Sequence, residues 1–114
     1  MSDWKPTPNT PAKPEHYSRI VILPPVQSFG RLQEDKWLLL KTLEEAAELV
    51  EAGKTYLKAD TTARRDMARD GMLSEWADVM QTLVNTATAF DFTDTEITMA
   101  MAQCLERNRR RERV

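Results

Sequence analysis

The sequence predicts an all-α chain carrying an extended, proline-rich N-terminal arm. Two observations carry this. All six prolines (Pro6, Pro8, Pro11, Pro14, Pro24 and Pro25) fall within the first 25 of 114 residues, where missing backbone donors and fixed φ work against regular structure. Beyond them Leu, Met, Ala and Val dominate the apolar residues, and they recur at spacings of three and four, the mark of helices with one apolar face. The expected division is an arm over 1–25 and a helical domain over 26–114.

The first helix is expected from about Val26 to Leu57, entered through Pro24 and Pro25, with Leu39, Leu43, Ala46 and Val50 as its buried face. Gly53 weakens its end, where Lys54 and Lys58 suit the helix dipole. Asp60, Thr61 and Thr62 offer a cap for a second helix running to Phe90, with a possible break at Gly71. Its apolar stripe reads Leu73, Trp76, Met80, Leu83, Val84 and Ala87. After a turn at Phe90 to Asp94, Thr93 or Asp94 caps a third helix with Glu96 in its first turn. Ile97, Ala100, Met101, Cys104, Leu105 and Asn108 follow on one face of it. Three one-sided helices make a thin core alone, so a homodimer or homotetramer that completes a helical bundle is expected.

A net charge of −2 supplies no bulk attraction to nucleic acid or to a membrane, and neither is an expected partner. The apolar runs are too short to span a bilayer, and no basic segment followed by an apolar run opens the chain, so no secretory leader is expected. The single cysteine, Cys104, allows no intrachain disulfide and fits a reducing, cytoplasmic setting. It lies on an apolar stripe and reads as core rather than as a nucleophile. Trp4 and His16 belong to the arm. Trp37 and Trp76 read as core or interface, with stacking on a nucleobase the alternative for one of them. The arginines from Arg107 to Arg113 read as a solvated helix end complementing its own dipole.

Two segments carry the chemistry. Glu45 and Glu48 sit three residues apart on the first helix, and Glu75 and Asp78 repeat that spacing on the second. Such pairs project one turn apart on a helix surface. If two antiparallel helices bring them together, four carboxylates repel one another until a hard divalent cation takes their oxygens. On the helical wheel both pairs fall beside the expected apolar stripes, which suits an open cleft and equally suits two solvated faces.

The order Glu44-Glu45-Ala46-Ala47-Glu48-Leu49, then Glu75-Trp76-Ala77-Asp78-Val79-Met80, then Glu106-Arg107-Asn108-Arg109-Arg110-Arg111 resembles the MazG-like, all-α nucleoside triphosphate pyrophosphohydrolases over roughly residues 33–112. The resemblance implies a MazG-like bundle in which Glu45, Glu48, Glu75 and Asp78 bind Mg²⁺, with Mn²⁺ a possible substitute. It implies that Glu44 orients these groups or, with Glu45, helps activate water. It implies that Asn108, Arg109, Arg111 and Lys41 reach a nucleoside triphosphate, which water attacks at the α-phosphorus to give a monophosphate and pyrophosphate. Asn108 continues the apolar stripe of its helix, so it points inward either to substrate or to an ordinary cap or interface partner. Two other functions stay in view: a phosphoribosyl-ATP pyrophosphohydrolase, disfavoured because Val79-Met80-Gln81-Thr82-Leu83 lacks a histidine, and a non-catalytic helical interaction module.

Overall fold

A computed structural model describes residues 18–114, and the readings made for residues 1–17, Trp4 and His16 among them, fall outside the described residues. Three helices and no strand occur among the described residues: α1 (Lys36–Lys58), α2 (Thr62–Ala89) and α3 (Asp94–Arg110). None is long and apolar enough to cross a membrane.

Each helix begins at a side-chain cap. Asp35 accepts the Leu38 N–H at 2.8 Å, so α1 starts at Lys36 and not near Val26. Thr61 accepts the Arg64 N–H at 3.1 Å at the head of α2. Thr93 and Glu96 form a reciprocal capping box at the head of α3. The expected break at Gly71 does not occur, and α2 runs unbroken through it. α2 and α3 are both followed by a left-handed residue, Asp91 (φ 58°) and Glu112 (φ 55°). The N–H groups beyond each turn back onto the last carbonyls, Phe92 onto Ala87 at 2.9 Å and Arg113 onto Asn108 at 2.9 Å. α3 is also charge-segregated, with Asp94 and Glu96 in its first turn and Arg107, Arg109 and Arg110 in its last.

α1 and α2 pack as an antiparallel hairpin, whereas α3 packs on neither. The hairpin uses a different face from the one the sequence suggests. Half-buried along α1 are Leu38, Thr42, Glu45, Leu49, Ala52 and Tyr56, a four-three repeat flanked by Ala46 and Gly53. The matching row of α2 is Ala68, Met72, Glu75, Val79, Thr82 and Thr86. The hydroxyls in this seam bond to the helix itself, Thr82 to the Val79 carbonyl at 2.7 Å and Thr86 to the Thr82 carbonyl at 2.9 Å. Gly53 admits Met72, whose Cε lies 3.6 Å from where a Cβ would stand. The expected stripe of Leu39, Leu43 and Val50 faces solvent instead, with Leu43 67% exposed. Leu73 and Leu83 of α2, and Ile97, Met101 and Leu105 of α3, are exposed as well. Among the described residues no apolar side chain is fully buried.

Residues 18–35 have no helix, and their later part is tied to α2. Asn85, 5% exposed, holds it. Its Oδ1 accepts the Phe29 N–H at 2.9 Å and the Gln81 Nε2 at 3.0 Å, while Gln81 Nε2 also donates to the Gln27 carbonyl at 2.9 Å. Leu23, Pro25 and Val26 share a groove with Trp76 and Met80. The Gln27 carbonyl and the Phe29 N–H are thus taken by α2 side chains, which is why α1 does not extend back over them.

Candidate metal centre

Glu45 and Glu48 rise from the middle of α1, and Glu75 from the middle of α2. In an antiparallel hairpin the seam positions of the two helices meet, so Glu45 and Glu75 face each other within the packed interface rather than beside it. Carboxylate oxygens of Glu45, Glu48 and Glu75 lie within 4.8 Å of one another. Glu48 stands at the exposed rim and the other two are half-buried.

The electrostatics register this crowding. Loss of water pushes the Glu45 carboxyl above the ordinary glutamate range, and the hydrogen bond its protonated form would make to Glu48, the Glu48 charge and the Asp78 charge push it further, with Lys41 acting against them. Glu75 rises for the same reasons, desolvation first, then the charge of Glu48 and the hydrogen bond a protonated Glu75 would make to it, then the charge of Asp78. One oxygen of each, Glu45 Oε2 and Glu75 Oε2, is shut off from solvent without a hydrogen-bond partner. Buried carboxylate oxygens ordinarily find donors. Two such orphans beside two further carboxylates suit a hard cation with oxygen ligands, and the donor set, oxygen throughout, fits Mg²⁺ or Mn²⁺.

The remaining sequence-expected residues divide into two groups. Asp78 is exposed, one turn beyond Glu75, and near enough for its charge to act on both Glu45 and Glu75, although it stands outside the close triad. Glu44 also lies outside the triad, its carboxylate held by Lys41 at 3.0 Å. That hydrogen bond, with the charges of Glu44, Glu45 and Glu48, raises the Lys41 pKa. Asn108, Arg109 and Arg111 are not packed against the triad by their own chain, because α3 leaves the hairpin. Asn108 is engaged within its own helix end: its Nδ2 donates to Cys104 Sγ at 3.7 Å and its Oδ1 accepts Arg113 Nη1 at 3.3 Å.

Two polar residues of α2 that the sequence reading passed over hold the segment before α1. Gln81 and Asn85 fix the segment that leads to Arg31 and the head of α1. Their spacing of four on a helix is a visible signal, but the backbone atoms they hold lie more than fifty positions away. Comparison with known proteins adds no assignment: no family model, no curated protein and no solved structure matches the chain.

Proposed function

We propose that the protein hydrolyses nucleoside triphosphates, either dNTPs or modified NTPs, to a nucleoside monophosphate and pyrophosphate. Glu45, Glu48, Glu75 and Asp78 would hold the Mg²⁺ on which the reaction depends. The observation that carries this reading is the pair of solvent-excluded, unpartnered oxygens on Glu45 and Glu75 inside a cluster of carboxylates. A bound divalent cation supplies attraction for the triphosphate and lowers the pKa of an attacking water. Glu44, held by Lys41, would orient that water or accept its proton, and Lys41 would neutralise phosphate charge as it builds on the leaving group.

The exposed apolar faces of α1, α2 and α3 support a homodimer or homotetramer. In such an assembly Asn108, Arg109 and Arg111 would reach substrate from another copy. A cytoplasmic setting suits the single free cysteine, Cys104.

The test is pyrophosphate release, screened over all NTPs and dNTPs with Mg²⁺, using Asp78→Ala as the control. Release from none of them by the intact chain overturns the reading. The same exposed faces favour a second reading, a non-catalytic helical module. That module would show no specific effect of Mg²⁺ or Mn²⁺ on melting.

A further inference from the structure

A groove of about 680 Å³ runs between α1 and α2 towards the hairpin turn, lined by Ala52, Thr55, Met67, Ala68 and Gly71, with Lys58 at its outer end. It follows the same face as the carboxylate triad. Glu48, Ala52 and Thr55 stand four and three residues apart on α1, as Gly71, Glu75 and Asp78 do on α2. Its small side chains let another helix approach closely.

The two ends of the groove differ in charge. At one end stand Glu45, Glu48, Glu75 and Asp78, and Lys41, the cation that acts on Glu45, is already held by Glu44. At the other end Arg64 is paired with Asp60, whereas Lys58 has no ion pair among the described residues. α3 carries the complementary pattern, acidic at Asp94 and Glu96 and basic at Arg107, Arg109 and Arg110. The rise from Asp94 to Arg109 is about 22 Å and that from Lys58 to Glu45 about 20 Å, so opposite charges meet at both ends when α3 runs antiparallel to α1. Ile97, Met101 and Leu105 of α3 are exposed, and α3 packs on neither helix of its own hairpin. Its own chain keeps it from this groove. α3 has 17 residues against 28 in α2 and begins beyond the opposite end of the hairpin, so folded back it would stop near the level of the carboxylates, short of Lys58.

We propose that this groove receives α3 of a second copy, antiparallel to α1, with its Asp94 and Glu96 towards Lys58 and its arginine end at the carboxylates. Each site is then shared between two chains. The docking stands without the pyrophosphohydrolase reading, and only the part played by the arginines in turnover rests on it.

The native Cys104 supplies the probe. It lies ten residues beyond Asp94, and ten residues before Lys58 lies Glu48. Glu48 and Gly71 both stand about one turn from the facing pair Glu45 and Glu75, on the side of the hairpin turn, so the second copy's Cys104 comes level with Gly71. The space beside Gly71 is open, and helices packed about 8–10 Å apart leave room there for a small side chain. Under mild oxidation the full chain carrying Gly71→Cys is expected to give a disulfide-linked dimer, joined between position 71 of one chain and Cys104 of the other, as read by mass spectrometry of the linked peptides. Adding Cys104→Ser should abolish that link. Adding Lys58→Glu should slow it, and Lys58→Glu with Asp94→Lys should restore its rate. Absence of the link overturns the proposal, as does a link formed within a single chain. Mixing Asp78→Ala with Arg109→Ala should restore turnover that neither shows alone, and a link without that restoration removes Arg109 from the neighbouring site. The link without turnover in any sample leaves the docking standing and removes the hydrolase, and turnover without the link does the reverse.

Discussion

Glu45 of α1 and Glu75 of α2 face each other across the hairpin seam, each with its Oε2 closed off from water and unpartnered. An ordinary hairpin would place leucines at such positions. Here the packing of the two helices forces carboxylates together, and the repulsion between them works against the seam that holds them.

Removing one charge should separate activity from stability. Asp78→Asn and Glu48→Gln are expected to lower pyrophosphate release by at least on the order of a hundredfold. In chelator the same variants should melt at or above the temperature of the unaltered chain, because a repelling charge is gone. Wild-type-like turnover in Asp78→Asn would remove Asp78 from the site.

Acid should stabilise the metal-free protein over a limited range. Glu45 and Glu75 have pKa values raised in the folded state above the ordinary glutamate value. The folded chain therefore binds their protons more tightly than the unfolded chain does, and the stability this supplies is full below the unfolded pKa and lost as pH rises through the folded one. Melting in chelator should rise as pH falls from neutrality towards the ordinary glutamate range. With saturating Mg²⁺ that rise should shrink or reverse, since the cation stabilises the ionised cluster by linkage. A flat chelator profile across this window would contradict the crowding.

Asn85→Ala should release the segment before α1. The substitution leaves the Phe29 N–H and the Gln81 amide without their shared acceptor and is expected to cost about 1–3 kcal/mol. Hydrogen exchange at Phe29 should accelerate, and trypsin should cut sooner at Arg31. Unchanged protection at Phe29 would mean that the Leu23 to Val26 packing holds the segment unaided.

Gly71→Ala should stabilise. Gly71 sits inside a continuous helix, and nothing lies within 4 Å of the place its new methyl group would take. The gain in helix propensity, about 0.5–1 kcal/mol, therefore meets no steric cost. Thermal melting reads this directly, and a loss of stability would contradict the open space beside Gly71.

Light scattering at micromolar concentration should give a mass above the 13.1 kDa of one chain. Leu43→Glu, on the outward face of α1, should lower that mass while leaving helix content intact. A stable monomer in the unaltered protein would end the case for assembly.

Much of the fold is legible in the chain. Thr61, and Thr93 with Glu96, announce two helix starts through side chains that act within one turn. What the sequence conceals is which face packs inside the chain. α1 carries two stripes at helical spacing, and the more apolar one, through Leu39, Leu43 and Val50, looks outward. Hydrophobic periodicity weighs a face used within the chain and a face left for another molecule alike. For the same reason a helical wheel sets Glu45 and Glu75 beside the core, whereas they occupy the quieter stripe that forms the seam. The late start of α1 is hidden for another reason: the groups that hold Gln27 and Phe29 belong to α2 and follow from no local pattern.

The charge segregation of α3 restricts the direction in which two copies of that helix can lie together. Side by side in the same sense, Asp94 and Glu96 would meet their own duplicates and the arginines theirs. Turned end for end, the acidic head of each rod lies against the basic tail of the other, and the two macrodipoles oppose. A twofold axis perpendicular to α3 satisfies this arrangement, whereas a parallel pair works against it at both ends. Its strength would fall with added salt, so ionic strength would shift such a contact while leaving the seam of the hairpin nearly untouched.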